Sequence, residues 1–334
     1  MSALPTPPAG FRFREVHPSL FIGTMSDRYA GWIGQVYTRE KYAARISRRT
    51  KKLRSAQFVE EVLPVESVAE YYTHFPVLEI DFTFYRSLLD RKGNPTQNYH
   101  VLRSYRQHMT EDDRVFLKVP QAVCARKVRK GGAYVPNPDY LDAGLYTDGF
   151  FAPACEILGE ALHGLIFEQE YQRRDEQTPP EVMAEEWDRF FEKVPRDPRR
   201  HLEIRTGRLL SQALFDVLGK HGVGQVLSHW TWLPSLRAQW EKSGGGLPSE
   251  DGSQVVRLVT PRGKTYEETY SAAHPFDAMV EGMLHDGTVE ETVEIIRGVV
   301  QRGIRLYLFI NNRAGGNAPL IAQRIAREFM PETD

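Results

Sequence analysis

The residues best suited to chemistry in this chain sit at alternating positions within short apolar runs. In VLEIDFTFY (77–85), Glu79, Asp81, Thr83 and Tyr85 alternate with Leu78, Ile80, Phe82 and Phe84. A run with period two reads as a strand with one face on a hydrophobic layer, so the four polar side chains share the other face. The same parity turns Lys118 of RVFLKV, Gln169 of GLIFEQ, Glu203 and Arg205 of HLEIRT, and Arg257 of QVVRLVT inward. Carboxylates among cations are the ingredients of acid–base catalysis, with Glu79, Asp81 and Glu203 as acid or base and Lys118 as charge stabiliser. Arg205 and Arg257 would hold an anionic group, with Gln169 beside them. A desolvated Lys118 could alternatively form a Schiff base with a carbonyl substrate. The plain alternative is a salt-bridge network plugging the interior. Burying ions costs several kcal/mol each, however, and a bound polar ligand accounts for that cost better than stability does.

A second candidate lies in IRLYLFINNRAGGNAPLIAQRIA (304–326), where an apolar run stops at Asn311 and Asn312. In the turn that follows, Gly315 and Gly316 can take positive φ, and Asn317 can cap a helix starting near Ala318 and Pro319. Backbone N–H groups before a helix N-terminus form a ready anion site, so Asn311, Asn312, Gly315, Gly316 and Asn317 are expected to bind phosphate or carboxylate. Turn chemistry alone also favours Asn and Gly at these positions.

The elements that must position these groups are eight short strands, near 19–24, 77–85, 114–119, 164–169, 201–206, 224–230, 254–260 and 305–312. Helical spacing of apolar residues lies between them, as in Leu210, Ala213, Leu214, Val217 and Leu218, or Val293, Ile296, Val299 and Val300. Strand then helix, eight times, predicts a single α/β domain closed into a (β/α)8 TIM-type barrel with long strand-to-helix loops. The rival, an open doubly wound sheet, lacks a GxGxxG fingerprint. The barrel is expected over 18–330, after a disordered leader at 1–17 and with a basic insertion at about 38–64.

Composition adds exclusions. The chain has 334 residues, of which 41% are hydrophobic, enough for a full core. Lys plus Arg (43) balances Asp plus Glu (44), so any attraction to nucleic acid or membrane must be local. Two cysteines, Cys124 and Cys155, without a histidine cluster argue against a disulfide framework or structural zinc and fit a reducing compartment. No run reaches membrane-spanning length and no signal segment is visible, so a cytoplasmic, soluble protein is expected. No metal ligand is assigned, although Glu79, Asp81 and Glu203 could hold a divalent ion, Mg²⁺ or Mn²⁺. His229, in SHWTWLP, is expected to pack with Trp230 and Trp232.

At several ordered points the chain resembles the YecE-like family, a domain-of-unknown-function family with a TIM-barrel fold. The segments are FIGTMSDRYAGWIGQVY (21–37), LEIDFTFYR (78–86), FLKVP (116–120), LEIR (202–205) and LFINNRAGGNAPLIA (308–322). Asp81 stands where the family usually has Asn, and the insertion carrying RISRRTKKLR (45–54) is longer than usual. The resemblance implies the fold; the family has no settled activity.

Basic clusters at 45–54, RKVRK (126–130) and Arg173–Arg174 all fall in loops at one barrel face, which would make the mouth positive. The leading expectation is therefore an enzyme, hydrolase- or lyase-type, that binds a phosphate-bearing or other anionic small molecule at the barrel mouth, such as a phosphodiester or sugar phosphate. The alternative is a non-catalytic barrel that holds nucleic acid or an anion through the 45–54 loop. Oligomeric state is open.

Overall fold

The computed structural model describes residues 10–53, 56–176 and 178–330. Eight parallel strands close into a barrel in chain order: β1 (Leu20–Met25), β2 (Val77–Ile80), β3 (Arg114–Lys118), β4 (Leu162–Gln169), β5 (Arg200–Ile204), β6 (Gly224–His229), β7 (Ser253–Leu258) and β8 (Arg305–Ile310). The ring shuts where β1 pairs with both β8 (Phe21 beside Tyr307) and β2 (Gly23 beside Val77).

Alternation sorts the side chains into two layers. Leu78, Ile80, Leu165, Phe167, Leu202, Leu227, Val256 and Leu308 face outward into the main core, against helices such as Pro180–Lys193 and Thr288–Gln301. The second of these buries Val293, Ile296 and Val299 along one stripe. Each such side chain contributes roughly 1.5–3 kcal/mol, and Ile296→Ala would cost about 2–5 kcal/mol because the site cannot collapse. Inside the barrel, Val77, Phe116, Ile166, Val226, Val255, Tyr307 and Phe309 form a smaller apolar cluster. Phe116 fills the space beside Gly164, where a Cβ would lie 1.9 Å from the ring, so that position admits only glycine.

Two residues further along each strand, toward its carboxyl end, the interior turns polar. Val77 is followed by Glu79, Phe116 by Lys118, Ile166 by Glu168, Val226 by Ser228 and Val255 by Arg257. The apolar layer is thus a floor and the polar layer the mouth, the end at which TIM-barrel sites are built.

Two of the strand-to-helix loops carry antiparallel hairpins. Ser47–Leu53 pairs with Ala56–Val62 within the expected basic insertion, and Lys127–Lys130 pairs with Ala133–Pro136 after β3. The first hairpin docks on the helix Tyr266–Ala273 through Phe58, whose ring lies 5.1 Å from that of Tyr270. Residues 1–9 of the expected disordered leader lie outside the described residues. Its remainder is packed: Phe13 stacks on Phe75 at 4.7 Å, and both Phe13 and Val16 are buried. Among the described residues no helix is long and apolar enough to cross a membrane.

Candidate functional site

Six charges converge in the mouth layer. Arg257 donates Nε and Nη2 to the two oxygens of Glu79, at 2.8 and 2.6 Å, and Nη1 to Glu203. Glu203 also accepts from Ser228 Oγ at 2.5 Å. Glu168 Oε2 is reached by Lys118 Nζ at 2.5 Å, Arg205 Nη2 at 2.8 Å and Arg257 Nη1 at 3.5 Å. Three carboxylates therefore face three cations. Burial raises the pKa of Glu79 despite the opposing effect of Arg257. For Glu168, burial pushes upward but Arg205, Lys118 and Arg257 outweigh it and hold the carboxyl well below the usual range.

Depth divides the labour. Glu79 and Glu203 are fully buried and Arg257 nearly so, with every nitrogen of its guanidinium engaged. These three, expected as acid, acid and anion holder, form a strut beneath the mouth. Lys118, Arg205 and Glu168 form its upper surface. Glu168 is the most open of the six, and its Oε1 has no hydrogen-bond partner in the protein among the described residues. The Lys118 ammonium is paired to Glu168 and lies 3.8 Å from the centre of the Phe84 ring, contacts that occupy it and disfavour the Schiff-base role.

The structure places two sequence-expected residues elsewhere. Gln169 faces outward, away from this layer, and bonds to the backbone oxygen of Glu170; Glu168 takes the inward position. The reason is parity with Ile166, which packs inside the barrel. Asp81 lies beyond the end of β2, because the chain turns helical at Phe82–Tyr85 and alternation ceases. Glu79, Asp81 and Glu203 therefore do not converge, and among the described residues no group of three His, Cys, Asp or Glu side chains could hold a metal ion.

Asp81 instead lines a cleft of about 830 Å³ between the carboxyl ends of β1, β2 and β8, walled by the first hairpin and the segment 266–276. Five cations (Arg28, Arg49, Lys51, Lys52 and Arg313) face this cleft, against Glu60, Glu61 and Asp81. The Asp81 carboxylate does not cap the turn that follows it. Arg313 is the unusual cation. Its Nε bonds to Asn311 Oδ1 at 3.1 Å, its Nη1 lies 3.4 Å from Thr260 Oγ1, and its guanidinium stacks 4.3 Å from the Tyr266 ring centre. Among the described residues it has no ion-pair partner, and burial lowers its pKa. Neither Arg313 nor Glu168 was singled out from sequence; parity with Ile166 would have flagged Glu168, and Arg313 is the lone cation in its turn.

The turn after β8 answers its own acceptor demand. Asn312 Oδ1 accepts from Trp32 Nε1 at 3.2 Å and from Ala318 N at 2.8 Å, while its backbone oxygen accepts from the N–H groups of Gly315 and Gly316. Asn317 Oδ1 caps the helix Ala318–Phe329 through Leu320 N at 2.9 Å. Gly316 has φ +110°, and a Cβ there would lie 2.4 Å from the Ala278 carbonyl. The donors expected to cradle an anion at Gly315, Gly316 and Asn317 are thus engaged within the chain and covered by 276–280. Asn311 and Asn312 line the cleft beside Arg313, whereas Gly315, Gly316 and Asn317 do not. His229, at the end of β6, is buried, meets His285 edge-on at 6.0 Å rather than stacking on the tryptophans, and has its pKa pushed down to about 4 by burial, His285 and Arg262.

The fold recurs in solved structures. A DUF72 family protein from Thermotoga maritima aligns with a TM-score of 0.54 at 14% identity, over 94% of this chain and 99% of that one. A DUF72 family protein from Enterococcus faecalis aligns with a TM-score of 0.53 at 10% identity, over 95% and 99%. No curated protein matches the chain. The family model described as protein of unknown function DUF72 matches residues 21–334, nearly the whole barrel, and the chain belongs to the DUF72, or YecE-like, family.

Proposed function

We propose that the protein is an enzyme acting on a phosphate-bearing or other anionic small molecule, bound in the cleft at the carboxyl end of the barrel. The observation that carries this reading is Arg313: a part-buried guanidinium, fixed by Asn311 and Tyr266, that lines the cleft without a counter-ion among the described residues. A part-buried cation with no counter-ion carries a desolvation cost, and an anionic ligand would supply the missing charge. The central network does not ask for an anion, since its three cations already meet three carboxylates.

Proton transfer falls to the two carboxylates that are not locked into the strut. Asp81 faces the same cleft as Arg313, and Glu168 presents a free Oε1 at the mouth while three cations keep it ionised. Tyr85, which lines the cleft with Asp81, lies within electrostatic reach of both Asp81 and Glu168. Such a pair suits hydrolysis or elimination, with Lys118 and Arg205 stabilising developing negative charge.

The nucleic-acid alternative draws less support from the first hairpin. Arg48 pairs with Glu61 at 2.8 Å, Arg49 and Lys51 pair with Glu60 at 2.6 and 3.0 Å, and Arg45 pairs with Glu66. Glu60, Glu61 and Glu66 thus offset three of the five described cations Arg45, Arg48, Arg49, Lys51 and Lys52, which leaves less charge for a polyanion. The test is a thermal-shift panel of phosphosugars, nucleotides and short nucleic acids on the wild type and Arg313→Met. A ligand at about 100 times its Kd stabilises by roughly 2.7 kcal/mol. Loss of a small-anion response in the variant supports the reading; a response to nucleic acid alone, equal in both proteins, refutes it.

A further inference from the structure

Across the mouth from the Arg313 cleft, the carboxyl ends of β4, β5 and β6 carry four aromatic or cationic groups in contact. Arg205 lies 4.8 Å above the Trp230 ring, Trp230 is 5.8 Å from Tyr171, and Tyr171 stacks on Trp232 at 5.8 Å with 29° between planes. Trp232 is 50% exposed and Tyr171 41% exposed. The loop that displays Trp232 is tied down: Thr231 Oγ1 donates to the Lys264 carbonyl at 2.7 Å, and Gly263 N donates to the Thr231 carbonyl at 3.1 Å. An indole held in water on a fixed backbone forgoes the burial that its surface favours, which points to an absent occupant.

We propose that Trp232 and Tyr171 form a stacking subsite for a sugar ring. Tyr171 covers one face of Trp232, so a single indole face remains open. A pyranose matches that: it has one apolar C–H face to lay on the ring and a rim of hydroxyls that need polar partners. A nucleobase gains most from aromatic contact on both faces, which this shelf does not offer. The polar partners lie at the inner end of the shelf. Arg205 bridges from Trp230 to Glu168 at 2.8 Å, and Glu168 Oε1 is free to accept from a hydroxyl. The inference extends the proposed function by giving the ligand a saccharide portion, yet the shelf does not depend on Arg313 and can be tested apart from it.

The experiment titrates the full chain with neutral trisaccharides (gluco-, manno- and N-acetylglucosamine-based) and, separately, with adenosine and uridine, following tryptophan emission and saturation-transfer NMR. The expected result is saturable binding of at least one trisaccharide, with Kd raised about tenfold or more in Trp232→Ala and largely restored in Trp232→Tyr. Arg313→Met retains saccharide binding, which separates failure of this proposal from failure of the anion reading. Absence of binding by every trisaccharide, binding that survives in Trp232→Ala, or nucleosides binding through Trp232 in their place would each overturn it.

Discussion

Arg257→Met tests whether the inner charges act as a strut. In the wild type, Arg257 makes two bonds to Glu79 at 2.8 and 2.6 Å and a third to Glu203, and both carboxylates are fully buried. Removing one partner of a buried ion pair costs about 3–5 kcal/mol, since the survivors remain charged and unsolvated. With an unfolding entropy near 2.1 cal/mol/K per residue, a chain of 334 residues loses about 4–7 °C in Tm at about pH 7.5. The loss should depend on pH with a definite sign. Burial already raises the pKa of Glu79 above its ordinary value of 4.5, and without Arg257 the main opposing influence is gone. The native state of the variant then holds a proton that the unfolded chain releases, so stability falls as pH rises through the window between the two pKa values. The deficit is full above the raised pKa and shrinks toward about pH 5, by about 1.4 kcal/mol for each unit of added shift. Calorimetric melts of both proteins at about pH 5 and pH 7.5 provide the comparison. A Tm loss below about 1 °C, or the same loss at both pH values, would refute the strut.

Three further outcomes follow from the geometry. Asp81→Asn should change stability by less than about 0.5 kcal/mol, because the carboxylate caps nothing, while weakening turnover of any substrate found; a large Tm change would mark Asp81 as structural instead. Gly316→Ala, at φ +110° with the Ala278 carbonyl 2.4 Å from the new Cβ, should cost about 1–3 kcal/mol in a thermal melt. His229, with its pKa lowered from 6.5 to about 4, should be found neutral at pH 5.5 when its ring is titrated by NMR; its contribution is present above 6.5 and lost as pH falls toward 4. His229→Gln should therefore flatten the acid side of the stability curve, an effect of up to about 3 kcal/mol.

All eight barrel strands were legible in the sequence, because each pairs an apolar outer face with turn residues at its ends. The charged inner layer was legible too, for Glu79, Lys118, Glu203, Arg205 and Arg257. Gln169 was read inward because the polar residues at the end of β4, Glu168 and Gln169, blur the alternation there; Ile166, packed inside the barrel, sets the parity. Asp81 was read one strand layer too deep because nothing in DFTFY signals that period two gives way to a helical turn after Ile80. The first hairpin escaped notice since its strands, SRRTKKL and AQFVEEV, carry paired like charges and no period-two alternation of apolar residues. The opposed pairs Arg48–Glu61 and Arg49–Glu60, mirrored about residues 54 and 55, were the available signal. The turn after β8 shows a different limit: a run of Asn and Gly that satisfies its own backbone looks the same in sequence as one that waits for an anion.

The central claim is that Arg313, and not the start of the helix Ala318–Phe329, is where an anion binds. The direct measurement is anomalous diffraction from crystals soaked in tungstate. The account predicts a tungsten peak in the cleft within hydrogen-bonding reach of the Arg313 guanidinium, absent from Arg313→Met crystals. A peak at the Gly315–Ala318 turn, or an empty cleft beside Arg313, would contradict it.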